Sequence, residues 1–148
     1  MTFHTSRDRH EAQIRESIEG WASALRAKDV EGLMAHYAPG VLSFDLAPPL
    51  QHEGDVYRQG FEEWFRTFRG GIGLEIRDLS ITVGDDLAFS HSLNRISGAR
   101  TTGEDTDVWV RATLCFRNTG GSWLVAHEHV SVPFYMDGSY RAAVDLAP

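Results

Sequence analysis

His127 and His129 flank Glu128 in the stretch WLVAHEHVSVPF, residues 123–134, where an apolar run gives way to three titratable groups. Imidazole titrates near neutral pH, so such a pair can shuttle a proton, hydrogen-bond a carbonyl or ligate a metal. Strict strand alternation places Trp123, Val125, His127, His129 and Ser131 on one face. Leu124, Ala126, Glu128 and Val130 fall on the other. Unless a bulge intervenes, the histidines are neighbours and Glu128 faces away from them, toward solvent or a second subunit. The same rule in DVWVRATLCFR sets Asp107, Trp109, Arg111, Thr113 and Cys115 against Val108, Val110, Ala112, Leu114 and Phe116.

The wholly apolar row must be buried against something. The mixed row carries Trp109, and a large aromatic on a purely solvated face wastes its burial area. A cavity with aromatic walls and a few polar groups suits Trp109, Arg111 and Thr113, with His127 and His129 as its acid–base pair. Arg111 can then hold a carboxylate, pair with Asp45 or stack on a ring; otherwise it is a surface arginine at a subunit edge. His91, in LAFSHSLNRISG, is placed with this pocket set. Tyr37, Trp64 and Phe68 are candidate pocket walls, although aromatics at helical spacing also serve as core. His36 and His52 receive no role. A metal could sit on the His-x-His pair with His91 or Asp45, but that spacing alone is a weak signal, and neither metal nor cofactor is expected. Both histidines can also be structural, satisfied by Ser131, Thr113 or backbone.

These residues need elements to hold them. Ile14, Ile18, Trp21 and Leu25 recur at offsets of four, three and four, which predicts a helix capped by Thr5 or Ser6. Asp29 can cap a short second helix with Val30, Leu33, Met34 and Tyr37 inward, ended by Pro39 and Gly40. VLSFD predicts a short strand, and LAPPLQHEG an irregular loop, since two prolines break a ladder. A third helix is expected over 55–69, with Val56, Phe61, Trp64, Phe65 and Phe68 as its heavy side chains. LEIRDLSITVG, LAFSHSLNRISG, DVWVRATLCFR and SWLVAHEHVSV then predict four strands, the last two joined by the hairpin signal NTGG. Helices first and strands afterwards make an α+β domain with an antiparallel meander. The tail, PFYMDGSYRAAVDLAP, has no clear period and could dock on a neighbour.

Bulk properties bound the function. The chain of 148 residues fits one domain, residues 1–148, and its 42% hydrophobic and 24% charged content is that of a globule. With 14 basic against 21 acidic residues, net −7, it shows no basic stripe for nucleic acid or an anionic membrane. The single cysteine, Cys115, reads as a small core residue, consistent with a reducing compartment. No signal-peptide core or membrane-length run is visible, so a cytoplasmic location is expected.

WASALRAKDVEGLMAHYAPGVLSFDLAPPLQHEG, the aromatic third helix and GGSWLVAHEHVS together resemble the NTF2-like superfamily, and within it the SnoaL-like and ketosteroid-isomerase-related group. The resemblance runs from about Ile14 to Pro133. It implies a cone-shaped α+β barrel, three N-terminal helices packed on a curved antiparallel sheet around a pocket, with homodimers formed through the sheet. It also implies that Asp45, in LSFDLAPP, occupies the position of the group's general base. Capping the turn before Ala47-Pro48-Pro49 is the alternative for Asp45. Facing an apolar cavity, its pKa would be raised by desolvation. The positions of the two oxyanion donors fall at Trp21 and near Thr113, so both donors are replaced and steroid isomerisation is not implied.

The leading expectation is therefore a pocket protein for a small, partly apolar organic molecule. As an enzyme it would run cofactor-independent acid–base chemistry: isomerisation, cyclisation, hydration or hydrolysis. Asp45, His127 and His129 would be catalytic, and Trp21, Tyr37, Trp64, His91, Trp109, Arg111 and Thr113 would hold the substrate. The rivals are a non-catalytic binding or interaction module and, third, a metal-dependent enzyme.

Overall fold

The computed structural model describes residues 2–148, with side chains from Ser6 onward. The elements are α1 (Thr2–Arg26), α2 (Val30–Met34), β1 (Tyr37–Phe44), β2 (His52–Glu53), α3 (Gly54–Arg66), β3 (Gly73–Val83), β4 (Leu87–Ala99), β5 (Asp105–Thr119) and β6 (Ser122–Ser131). One six-stranded sheet runs in the order β2-β1-β6-β5-β4-β3. All its pairings are antiparallel except β1 with β6, which is parallel. The sheet is curved and open, with two free edges, and the helices pack on its inner face. This is the NTF2-like α+β cone, an unclosed sheet rather than a complete barrel.

The amphipathic stripe of α1 explains its seat. Ile14, Ile18, Trp21 and Leu25 are all buried, against Phe116, Trp123 and Val125 among others. Each such side chain is worth roughly 1.5–3 kcal/mol when removed from water. The end of α1 is fixed to β3 by Arg26, whose Nε and Nη2 donate to the Leu74 carbonyl at 3.1 and 2.7 Å. Its start differs from expectation. The helix already begins at Thr2, so Thr5 and Ser6 lie inside it and not at its cap; the Thr5 side chain is outside the described residues. On α3 the inward row is Tyr57, Phe61 and Phe65; the helix ends at Arg66 and not at 69, and Phe68 packs just beyond it, edge-on to Trp64 at 5.2 Å. Val56 is exposed, and Tyr57 takes the inward place expected of it.

Three boundaries move. The second helix stops at Met34, because the backbone from Tyr37 onward joins β1. Pro39, which has no N–H, and Gly40, at φ 73°, occupy the irregular part of that strand, between the paired residues Tyr37 and Leu42. The loop before α3 contributes a two-residue strand, β2, paired to β1. The NTGG signal is realised as a two-residue hairpin, with Gly120 and Gly121 both at positive φ and the Gly121 amide donating to Asn118 Oδ1 at 3.1 Å. Among the described residues no helix is long and apolar enough to cross a membrane.

Asp29 caps α2 as expected, its Oδ1 accepting the Gly32 amide at 3.0 Å. Asp29→Ala leaves that amide without its side-chain partner and is expected to cost about 1 kcal/mol, read as a shift of the urea midpoint with an unchanged slope.

Candidate functional site

The site is set by one irregularity in β6. Cys115 pairs with His127, but Phe116 pairs with Val125, so Ala126 is an extra residue in the ladder. A bulge of this kind breaks the period of two. Trp123 and Val125 therefore point inward before it, and Glu128 and Val130 point inward after it, while His127 and His129 point outward. The alternation within each strand segment is as expected, and so is the separation of Glu128 from the histidines. The side that carries the cavity is the opposite one.

That cavity has a volume of about 510 Å³ and lies between the inner face of the sheet, α1 and α3. Its floor is the apolar row Val108, Val110 and Ala112, which sequence reasoning set against the pocket side. Trp21, Phe61 and Trp64 form much of the apolar remainder. Its volume and apolar character lie within the range of small-molecule sites.

Glu128 is the polar centre of this wall. It is 2% exposed. The Tyr37 hydroxyl donates to its Oε2 at 2.9 Å, and the Tyr57 hydroxyl makes a short hydrogen bond to the same oxygen. Trp21 Nε1 donates in turn to the Tyr37 oxygen at 2.8 Å. Among the described residues Oε1 has no hydrogen-bond partner, which leaves it for the cavity. Burial pushes the Glu128 carboxyl up to about 7, against the two phenol hydrogen bonds, which pull it down, with a smaller upward push from the Asp45 charge. Burial foremost, and then the Glu128 charge, raise both tyrosines well above the usual phenol range, so they stay protonated as donors.

Asp45 lies at the cavity mouth but is exposed, and its Oδ1 accepts the Leu46 amide at 2.7 Å. The carboxyl buried in the cavity wall is that of Glu128. Trp21 and Trp64 line the cavity; Tyr37 stands behind the wall, hydrogen-bonded to Glu128. His52, to which no role was assigned, lines the mouth with its ring 6.2 Å from that of Tyr57. Asn94, 5% exposed, also lines the cavity, with its Oδ1 holding the Ser92 hydroxyl at 2.8 Å.

The remaining expected pocket residues form a second group on the outer face. His91 pairs with Thr113, and Thr113 with His129, in one row across β4, β5 and β6. Trp109 is half-buried there, and Arg111 is exposed, with its Nε on Ser131 Oγ at 3.1 Å. His127 Nδ1 lies 2.7 Å from the Leu42 carbonyl, and Phe44 packs edge-on to both imidazoles. None of these residues lines the cavity with Glu128. The physical reason is the bulge, together with the preference of the all-apolar face of β5 for the helix side. Among the described residues no three His, Cys, Asp or Glu side chains form a group able to hold a metal ion.

Glu128 makes stability depend on pH. Its folded pKa of about 7 lies above its unfolded value near 4.5, so the favourable contribution is complete below pH 4.5 and is lost as pH rises through 7. The difference corresponds to about 3 kcal/mol. Urea titrations from pH 4.5 to 8 should show this decline in wild type and a flatter profile in Glu128→Gln. Parallel profiles would remove Glu128 as the source.

The family model described as SnoaL-like domain matches residues 14–135. An NTF2-like protein of unknown function from Pseudomonas putida KT2440 is 35% identical, with a TM-score of 0.86 over 95% of this chain and 98% of that one. A candidate scytalone dehydratase from Novosphingobium aromaticivorans DSM 12444 is 18% identical, with a TM-score of 0.80 over the whole of both chains. A ketosteroid isomerase-like protein from Erwinia carotovora atroseptica SCRI1043 is 21% identical, with a TM-score of 0.70 over 81% of this chain and 93% of that one. At such identities the last two speak for the fold alone. No curated protein sequence matches this chain.

Proposed function

This chain belongs to the SnoaL-like domain family, and we propose that it binds a small, largely apolar organic molecule and moves a proton on it without a cofactor. The observation that carries the reading is a buried carboxyl poised at about 7 in the wall of a largely apolar cavity. A group with a pKa near the working pH is populated in both forms and can accept or return a proton efficiently. With Oε2 held by two phenols, Oε1 is the oxygen that meets substrate. It would take a proton from a carbon beside a carbonyl, or from a hydroxyl. The Asn94 amide, on the strand position that pairs with Val110, is a polar contact for the body of the molecule. Asp45 and His52, at the mouth, exchange the proton with water. Isomerisation, cyclisation, hydration and hydrolysis share this first step.

A binding module is the second reading. It is favoured by the outward placement of His127 and His129, which leaves the cavity without the imidazole pair expected to serve as acid. Hydrogen–deuterium exchange at the acidic carbon of 2-tetralone, an enolisable bicyclic ketone, separates the two. Acid–base chemistry predicts enzyme-accelerated exchange that Glu128→Gln slows by at least about 100-fold. Tyr57→Phe removes a hydrogen bond that lowers the Glu128 pKa, so the acid limb of the rate profile should move to higher pH. Binding of 2-tetralone with exchange no faster than in buffer would instead establish the module.

The outer face is proposed as the homodimer surface. Phe89 and Leu87 are 44% and 55% exposed on the same sheet as half-buried Trp109, which suits burial against a second copy. Thr113→Arg, at the centre of the row from His91 to His129, should give a folded monomer by sedimentation velocity where wild type sediments as a dimer.

A further inference from the structure

We infer that Arg100 anchors a carboxylate at the end of the cavity remote from Glu128, so that the ligand is an organic acid with an apolar body. The inference rests on the ligand-binding reading above and names the class of ligand. Arg100 follows directly on β4, and among the described residues it is the only Arg or Lys lining the cavity. Its backbone is held on two sides, by a β-bridge to Phe68 and by its amide donating to the Glu104 carbonyl at 3.0 Å. Its side chain is held as well. The guanidinium carbon lies 4.4 Å from the centre of the Phe68 ring, and Nη1 donates to Thr106 Oγ1 at 3.1 Å.

The contact with the Phe68 ring engages no hydrogen-bond acceptor, and Thr106 uses one of the five donors. Among the described residues Arg100 has no ion pair; Glu63 lines the same cavity but is exposed on α3 and is not joined to it. A half-buried guanidinium held over a ring and by Thr106, with donors to spare, can meet the planar fork of a carboxylate. Lys in its place would offer a point charge without that fork.

The strand carrying the cavity floor gives the spacing. Thr106, Val108, Val110 and Ala112 line the cavity in succession on β5, and the next inward residue, Leu114, pairs with Glu128. At about 3.3 Å per residue, Thr106 and Ala112 are roughly 20 Å apart along the chain, less across the curved sheet. The cavity is thus polar at both ends and mainly apolar between them, with Asn94 the polar side chain on the strand position that pairs with Val110. A molecule seated by its carboxylate on Arg100 lays its apolar body over the valines and presents its other end to Glu128. Two negative charges at one end would repel, so the anionic head belongs with Arg100 and the reacting group with Glu128.

The test compares two probes with one body, 4-(2-naphthyl)butanoate and 4-(2-naphthyl)butan-1-ol, titrated into the full chain by calorimetry at low ionic strength and pH 7. Wild type should bind the carboxylate at least about tenfold more tightly, as a charge-assisted hydrogen bond implies. Arg100→Gln should bring the ratio near one, and Arg100→Lys should leave a reduced preference, which serves if the glutamine variant fails to fold. Equal binding by wild type, or a preference that survives Arg100→Gln, overturns the anchor while leaving the cavity as a ligand site. Failure of wild type to bind either probe overturns the cavity reading and the anchor with it.

Discussion

The hydrogen-bonded carboxyl of Glu128 ties four elements together. Glu128 comes from β6, Tyr37 from β1, Tyr57 from α3 and, behind Tyr37, Trp21 from α1. Removing a carboxyl from water without partners is far more costly than the gain from any single apolar contact in the core. Both phenols must therefore be in place when the domain closes, and their positions require specific backbone routes. The parallel pairing of β1 with β6 brings Tyr37 beside the strand of Glu128. The two-residue strand β2 fixes the start of α3, so that Tyr57 faces inward. Polar satisfaction at one point thus constrains the packing of most of the helical layer.

The bulge at Ala126 is what reconciles this cluster with the rest of β6. Without it, the face that buries Trp123 and Val125 would continue as His127 and His129, and Glu128 would be outside. One inserted residue exchanges an imidazole pair for a single carboxyl in the cavity wall. It also gives the sheet two chemically distinct faces. Inside, the valines and alanine of β5 leave the carboxyl poorly solvated. Outside, His91, Thr113 and His129 form a polar row on the face that carries Trp109.

Much of this was legible in the residues. The stripe of α1, the Asp29 cap, the four long strands and the NTGG hairpin follow from period and turn chemistry, which are local. Membership of the two faces of β5 was legible too, since alternation needs no tertiary information, but in β6 the alternation from sequence joined Trp123 and Val125 to the histidines, and the bulge at Ala126 separates them. The side of the sheet that encloses the cavity was not. Trp109, Arg111 and Thr113 form as plausible a pocket lining by type as Val108, Val110 and Ala112, and only the seating of the helices decides between them. The bulge carries no signature, because Ala126 is neither glycine nor proline. Tyr57 was passed over because Val56 fits a helical stripe nearly as well, and one residue of rotation separates them. Arg100 lies in a loop whose fold over Phe68 depends on contacts remote in sequence.

The same low polarity that raises Glu128 also ties its protonation to the occupancy of the cavity. An empty cavity admits water to Oε1, and that water stabilises the charged form. An apolar body laid over Val108 and Val110 displaces it, and the neutral carboxyl is favoured further. Filling the cavity with an inert molecule therefore draws a proton onto Glu128. A substrate that brings an acidic hydrogen of its own to Oε1 meets the opposite demand, because the base must be ionised to accept it. The phenols of Tyr37 and Tyr57 reconcile the two. Their hydrogen bonds to Oε2 hold the carboxylate without water, and the loss of either raises the cost of the buried charge. On the proposed acid–base reading, the buried pair of tyrosines, rather than solvent at the mouth, is what would allow Glu128 to serve as a base in a largely apolar site.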